Sequence, residues 1–308
     1  MLAFVFPGQG SQYVGMGKEL YNDFAVAKNI FEEANDSLGF DLAALCFEGE
    51  QSELSLTANA QPALLTTSIA CLMVLKSETP LIPNFVAGHS LGEYTALVAN
   101  GALSLSDAVK TVRKRGEFMQ EAVPVGIGAM AAVLGLDKEK VEDICNRVSK
   151  NGLIASPANL NAPGQTVISG NTQAIEEASS IAKTEGVKRV VPLDVSAPFH
   201  CALMEPAAQR LSEVLNEVNI REMDSPIVVN CTASVNNDSS KVKELLVSQV
   251  TSPVRWYESV ETLKNQGCNN FIEIGPKNVL SGLIKRTLSD VTVNNFEKIS
   301  QLESINNG

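Results

Sequence analysis

A serine with glycines two residues to either side, Gly88-His89-Ser90-Leu91-Gly92, follows the apolar run Phe85-Val86-Ala87 and precedes the helical stretch Leu91 to Asn100. This segment constrains the fold most, because it requires a strand that turns sharply into a helix with one side chain at the apex. Glycines at those places let the backbone pass where a Cβ would block the approach. The helix that starts just after Ser90 directs free backbone N–H groups and a positive dipole end at any oxyanion formed on an attacked carbonyl. An ordinary βα turn has the same glycines. A strand before and a helix after favour a nucleophile elbow and acyl chemistry.

A chain of 308 residues buries roughly three quarters of its extended surface, enough for a full core with a smaller inserted domain. Hydrophobic content of 44% and charged content of 19% are those of a soluble globular protein, and no apolar run reaches the roughly 18 residues of a membrane span. Met1 leads directly into Leu2-Ala3-Phe4-Val5-Phe6 without a basic flank or cleavage site, so a cytoplasmic location is expected. The six cysteines are scattered without a C-x-x-C, as reduced, buried thiols are. A net charge of -11 argues against nucleic acid, and any anionic partner must meet a local basic patch. With two histidines and no H-E-x-x-H, no metal site is expected.

The first half alternates strands and helices: strand Leu2 to Phe6, helix Ala63 to Lys76 begun by Gln61-Pro62, strand Phe85 to Gly88, then helices Leu91 to Asn100 and Asp107 to Ala122, the latter capped by Ser106. This predicts a parallel sheet covered by helices on both faces. After Pro124-Val125-Gly126 the order becomes strand Ala129 to Leu134, helix Lys138 to Ser149, strands Ile154 to Leu160 and Thr166 to Ser169, helix Thr172 to Glu185 and strand Val187 to Leu193. That is β-α-β-β-α-β, the ferredoxin-like unit. The expected domains are therefore a core of residues 1–125 and 196–308 and an insert of residues 126–195. The tail Gln301 to Gly308 is polar and expected to be loose.

A serine hydroxyl needs a base within hydrogen-bond reach. His89 is disfavoured, because neighbouring side chains at a strand end point to opposite faces. His200 is the base by elimination, in the loop Ser196-Ala197-Pro198-Phe199-His200 where the insert returns to the core. No later carboxylate stands out as a third triad member, so a backbone carbonyl or a side-chain amide could orient the imidazole. In the helix Asp107 to Ala122, one face reads Ala108, Val112, Arg115, Met119, Ala122. A charge in that apolar stripe must be paired, either by an internal carboxylate or by a substrate anion, and the guanidinium fork suits a carboxylate. Gly8-Gln9-Gly10 after the first strand fails the dinucleotide fingerprint, since Tyr13 occupies the third glycine place. Such a loop can instead offer a backbone N–H beside the elbow.

Together these residues resemble the malonyl-CoA:acyl carrier protein transacylase family over essentially the whole chain. The resemblance rests on Pro7 to Gln12, Gly88 to Tyr94, Arg115-Gly116 with Gly128-Ala129-Met130, Asn159 to Gln165, His200 to Met204 and Glu273 to Pro276. It implies an α/β fold, an α/β-hydrolase-like core with a parallel sheet plus the inserted ferredoxin-like domain. It also implies Ser90 as nucleophile, His200 as base, Arg115 as partner of the malonyl carboxylate, Gln9 and Leu91 as oxyanion-hole donors and Gln249 beside the histidine. Two departures from the family pattern are Phe199 before the base, found in malonyl-selective acyltransferase domains of polyketide synthases, and Lys277-Asn278 after Gly275-Pro276.

The expected reaction is ping-pong transfer of malonyl from malonyl-CoA to the phosphopantetheine thiol of acyl carrier protein, with no cofactor. The alternatives are a serine thioesterase or esterase, in which water replaces the second thiol, and a non-catalytic module that binds carrier protein. Carrier proteins are acidic, which points to Lys188-Arg189 and Lys285-Arg286 as candidate docking pairs.

Overall fold

A strand whose residues are all apolar must be covered on both faces, and Leu2–Phe6 is such a strand. The computed structural model describes residues 1–124, 126–195 and 197–306. Its strands are β1 (Leu2–Phe6), β2 (Phe85–Gly88), β3 (Gly128–Leu134), β4 (Ala155–Ala162), β5 (Gln165–Asn171), β6 (Arg189–Pro192), β7 (Ile227–Val228), β8 (Val235–Asn236), β9 (Asn270–Ile274) and β10 (Thr292–Phe296). They form two sheets, ordered β10-β9-β1-β2-β7-β8 and β4-β5-β3-β6.

The larger sheet is parallel except for β8, which runs antiparallel to β7. Along β1 the faces alternate: Phe4 and Phe6 join one apolar cluster, Ala3 and Val5 a second one on the opposite side. Period-two alternation with both faces buried is what a sheet between two helix layers requires. In the smaller, antiparallel sheet, Ala131 and Val133 face a cluster that includes Val141, Ile144, Ala174 and Ile175 of the helices Lys138–Val148 and Thr172–Thr184. Met130 faces the other way, into the cluster shared with the large sheet. Val254, which packs in the second apolar cluster of the large sheet, bonds to β4 of the small one, with its N–H on the Ala158 carbonyl at 2.8 Å and its carbonyl on the Leu160 N–H at 2.8 Å.

Several elements differ from the sequence reading. The helix expected to begin at Gln61-Pro62 spans Thr57–Glu78 and contains Pro62. Only the i−4 bond to the Ala58 carbonyl is lost there, close to the helix start. By length and a mean hydropathy of 1.4 this helix resembles a membrane span, yet 83% of that stretch is buried inside the protein. The helix carrying Arg115 spans Leu105–Glu121 and is capped by Ser104, not Ser106: Ser104 Oγ accepts the Asp107 N–H at 3.1 Å. The tail is ordered as far as it is described. Ile299–Gln301 forms a 3-10 turn and Leu302–Asn306 a helix that buries Ile305, while Asn307 and Gly308 lie outside the described residues. Edge strand β10 and the helices between Lys18 and Ser55 were not anticipated. The expected domain junctions fall at Val125 and Ser196, also outside the described residues.

Candidate active site

Ser90 lies two residues beyond β2 at φ 52°, ψ −106°, a positive-φ conformation rare for a residue with a Cβ. The flanking glycines make the turn possible: a Cβ on Gly88 would lie 1.9 Å from the Gly92 carbonyl oxygen, and one on Gly92 would lie 2.2 Å from that of Phe6. Such backbone strain costs of order 1–3 kcal/mol and persists only where surrounding bonds hold it. Asn230, just beyond β7, supplies them. Its Oδ1 accepts the Ser90 N–H at 2.7 Å and its Nδ2 donates to the Gly88 carbonyl at 2.7 Å.

His200 Nε2 lies 2.7 Å from Ser90 Oγ, and its Nδ1 lies 2.9 Å from the Gln249 carbonyl. A carbonyl only accepts, so Nδ1 carries the proton and Nε2 is free to take the serine's. His200 is 3% exposed; burial, aided by the neighbouring Arg115 charge, pushes its pKa down to about 3, so it is neutral at physiological pH. His89 is turned away, its Nε2 bonded to Asn161 Oδ1 at 2.8 Å.

Arg115 is 1% exposed. It donates through Nη1 to Gln61 Oε1 at 2.8 Å, and through Nη2 to Gln249 Oε1 at 2.9 Å and to Ser90 Oγ at 3.1 Å. Among the described residues no carboxylate forms an ion pair with it, so of the two pairings left open by the sequence the internal one is not found. The next residue explains how the helix brings the guanidinium in so deeply. At Gly116 it passes so near the backbone of Thr57 that a Cβ would lie 2.7 Å from the Thr57 oxygen.

These groups open on a cleft of about 450 Å³ between the two sheets, lined by Gln9, Ser90, Leu91, Arg115, Met130, Asn159, Phe199 and His200 among others. Leu91 is the first residue of the helix Leu91–Ala99, and its N–H, like that of Gln9, makes no hydrogen bond among the described residues. A nucleophile, a neutral base, two unspent N–H donors and a cation in one desolvated cleft can attack a carbonyl whose acyl group carries a negative charge.

Gln249 orients the imidazole through its main chain, while its side chain serves Arg115. Asn230, Glu93 and Gln61 take part in the site and were missed. Asn230 had a signal, as a polar residue ending the apolar run Ile227-Val228-Val229 at the carboxyl end of a parallel strand, where α/β proteins place their sites. The four docking candidates are exposed and none lines the cleft. Arg286 donates to Gln165 Oε1 at 2.7 Å, and Gln165 and Arg189 both pair with Leu134. Lys188, Arg189 and Arg286 thus gather at one end of the small sheet.

The chain matches the family described as acyl transferase domain over residues 3–305. It is 54% identical over 301 residues to the malonyl CoA-acyl carrier protein transacylase of Bacillus subtilis, covering 97% of this chain and 95% of that protein. The crystal structure of an acyl carrier protein S-malonyltransferase from Vibrio cholerae superposes with a TM-score of 0.96 at 43% identity, covering 99% of both chains. A malonyl-transacylase solved in complex with a type II PKS acyl-carrier protein does so with a TM-score of 0.96 at 42% identity, covering 100% of this chain and 99% of that one. At such identity over nearly the whole of both chains, this protein belongs to the malonyl-CoA:acyl carrier protein transacylase family.

Proposed function

We propose that this protein transfers the malonyl group from malonyl-CoA to the phosphopantetheine thiol of acyl carrier protein, supplying fatty-acid elongation in the cytoplasm. The observation that carries this reading is the buried Arg115 guanidinium, 3.1 Å from Ser90 Oγ and bonded directly to no carboxylate among the described residues. A general esterase has no use for a buried cation at the reacting serine, whereas a malonyl ester carries a carboxylate at about that reach.

In the first half-reaction the Ser90 hydroxyl gives its proton to His200 Nε2 as Oγ bonds to the thioester carbonyl carbon. The N–H groups of Gln9 and Leu91 receive the oxyanion. The carbon–sulfur bond then breaks, and coenzyme A leaves with the proton from His200. In the second half-reaction the carrier-protein thiol gives its proton to His200 and attacks the malonyl-serine ester, and Ser90 leaves with that proton. Gln249 holds the imidazole by its carbonyl, and Arg115 pairs with the malonyl carboxylate throughout. Chemistry of this kind needs neither metal nor redox cofactor.

The fold that supports it is read as an α/β-hydrolase-like core, residues 1–125 and 196–308, with a ferredoxin-like insert, residues 126–195. The β-α-β-β-α-β order of the small sheet and the parallel order of the large one support that division. Intact-protein mass after mixing with malonyl-CoA tests the function. A malonyl adduct that persists in buffer and is discharged by carrier protein is expected. Rapid discharge by water alone would make the protein a thioesterase, and no adduct at all would overturn the reading.

A further inference from the structure

Glu93 is a buried carboxylate that the reaction above leaves without a role. It lies in the first turn of the helix Leu91–Ala99, three residues after Ser90, and is 1% exposed. Its Oε2 accepts two donors at once, the Asn230 N–H at 2.8 Å and Gln249 Nε2 at 3.0 Å. From there the bonds divide. The Asn230 side chain holds both ends of the elbow, at the Ser90 N–H and the Gly88 carbonyl. Gln249 holds His200 Nδ1 by its main-chain carbonyl, Arg115 Nη2 by its Oε1 and the Ser90 carbonyl by its Nε2.

We propose that Glu93, in its ionised form, is the positioning residue that keeps nucleophile, base and guanidinium in register through Asn230 and Gln249. The inference rests on the transacylase reading for the roles of Ser90, His200 and Arg115. Two donors converging on one oxygen are matched by a carboxylate, which accepts without donating. The same charge compensates Arg115 through the intervening Gln249 amide, where low dielectric strengthens each bond of the chain. The titratable groups that act on Glu93 or feel its charge are Arg115, Tyr94 and Cys231, and Arg115 favours the ionised form. Burial outweighs it and raises the Glu93 pKa to about 7, so the carboxylate changes state within an accessible pH range. His200 stays neutral down to about 3 and does not titrate there.

The test follows two acylations of Ser90 by intact mass at a series of pH values. One uses malonyl-CoA. The other uses phenylmethanesulfonyl fluoride, a neutral reagent in which Oγ–S forms, S–F breaks and the serine proton passes through His200 to solvent. In the wild-type protein both rates should fall about tenfold per pH unit below about pH 7. Glu93→Gln, checked for folding by near-UV circular dichroism, should slow both by about 100-fold at pH 8, as a misplacement of about 1 Å does. It should also abolish the fall between pH 7 and pH 5. Glu93→Asp should recover part of the rate and keep the low-pH fall. Wild-type rates in Glu93→Gln, or an equal slowing at every pH with the fall retained, would overturn the proposal. A wild-type serine labelled by the sulfonyl fluoride but not by malonyl-CoA would sink the transacylase reading alone, with the role of Glu93 still decided by the neutral reagent.

Discussion

Arg115 Nη2 lies 3.1 Å from Ser90 Oγ, on the same hydroxyl that His200 Nε2 approaches to 2.7 Å. One guanidinium therefore touches the proposed nucleophile directly and depresses the basicity of its base from nearby. In the proposed mechanism a malonyl carboxylate arriving on Arg115 neutralises that charge, so the substrate anion itself would make His200 a better proton acceptor. Neutral acyl groups bring no such compensation.

Replacing Arg115 by alanine should consequently separate substrates. Malonyl transfer should lose about 2 to 5 kcal/mol of transition-state binding, the usual cost when a desolvated charge pair loses one partner. Acetyl transfer should lose much less or gain, because the His200 pKa rises once the neighbouring charge is gone. Arg115→Lys should rescue incompletely, lacking the fork that bonds Ser90, Gln61 and Gln249 together. Steady-state kcat/KM with both acyl donors checks this, and equal losses on the two would argue for a purely structural arginine.

Ser90→Ala should abolish the covalent adduct, and His200→Ala should slow its formation by several orders of magnitude, since base and nucleophile act as a unit. His89→Ala should retain the adduct. Its imidazole is committed to Asn161 and packs beside Trp256, so the loss should appear in stability rather than chemistry. Intact mass after a single turnover separates the three variants.

What the sequence made legible was local or forced by scarcity. Gly88 and Gly92 announce the turn at Ser90 because no other residue fits where a Cβ would meet backbone. His200 stood out because one alternative imidazole exists. Arg115 broke a helical stripe whose period is readable within one element. Glu93 and Gln61 left no such mark, and Asn230 only its place at the end of an apolar run, because their roles depend on partners far away in the chain. The Asn230 N–H meets a carboxylate 137 residues earlier. Strand β10, Thr-Val-Asn-Asn-Phe, escaped for a different reason: an edge strand with one neighbour tolerates polar residues, so the apolar run that marks a central strand is missing.

Asn230→Ala should cost stability as well as rate. It leaves the Ser90 N–H and the Gly88 carbonyl without their partner at a strained turn, worth about 1–3 kcal/mol for each buried group left unsatisfied. The acylation rate should fall with it, because Ser90 can relax from its positive φ. Urea denaturation and single-turnover acylation on the same variant check both. An unchanged rate in a destabilised protein would mean that other contacts suffice to hold the elbow.

His200 should also make the fold acid-sensitive. Folded, it stays neutral down to about 3, whereas in the unfolded chain it protonates from the ordinary 6.5. The unfolded state therefore binds the proton first, and stability that is full above the unfolded value is lost as pH falls toward the folded one. Between pH 7.5 and pH 5 this amounts to roughly 2 kcal/mol. His200→Gln, which keeps a donor for the Gln249 carbonyl, should not suffer this loss, so the stability difference between wild type and variant should shift toward the variant on acidification. Denaturant unfolding at the two pH values measures it, and a pH-independent difference would show that His200 is not held neutral.

The proposed docking surface follows from where the small sheet brings its cations. Lys188 and Arg189 enter β6 at its far end, about 13 Å along the strand from the cleft-lining Leu193. Arg286 joins them by way of Gln165, from a helix whose start is fixed by the Glu273 carboxylate on the N–H groups of Leu280 and Ser281. Three cations from segments distant in sequence thus converge on one patch of a protein with a net charge of -11. A carrier protein presents its thiol on a long flexible arm, so a patch set back from Ser90 is compatible with delivery into the cleft. Reversing Lys188, Arg189, Lys285 and Arg286 to glutamate should raise the KM for acyl carrier protein most steeply at low salt, where steering is unscreened. Acylation by malonyl-CoA should change less, because a small ligand depends on the cleft more than on the surface field. Carrier-protein kinetics that stay unchanged at low ionic strength would move the docking surface elsewhere.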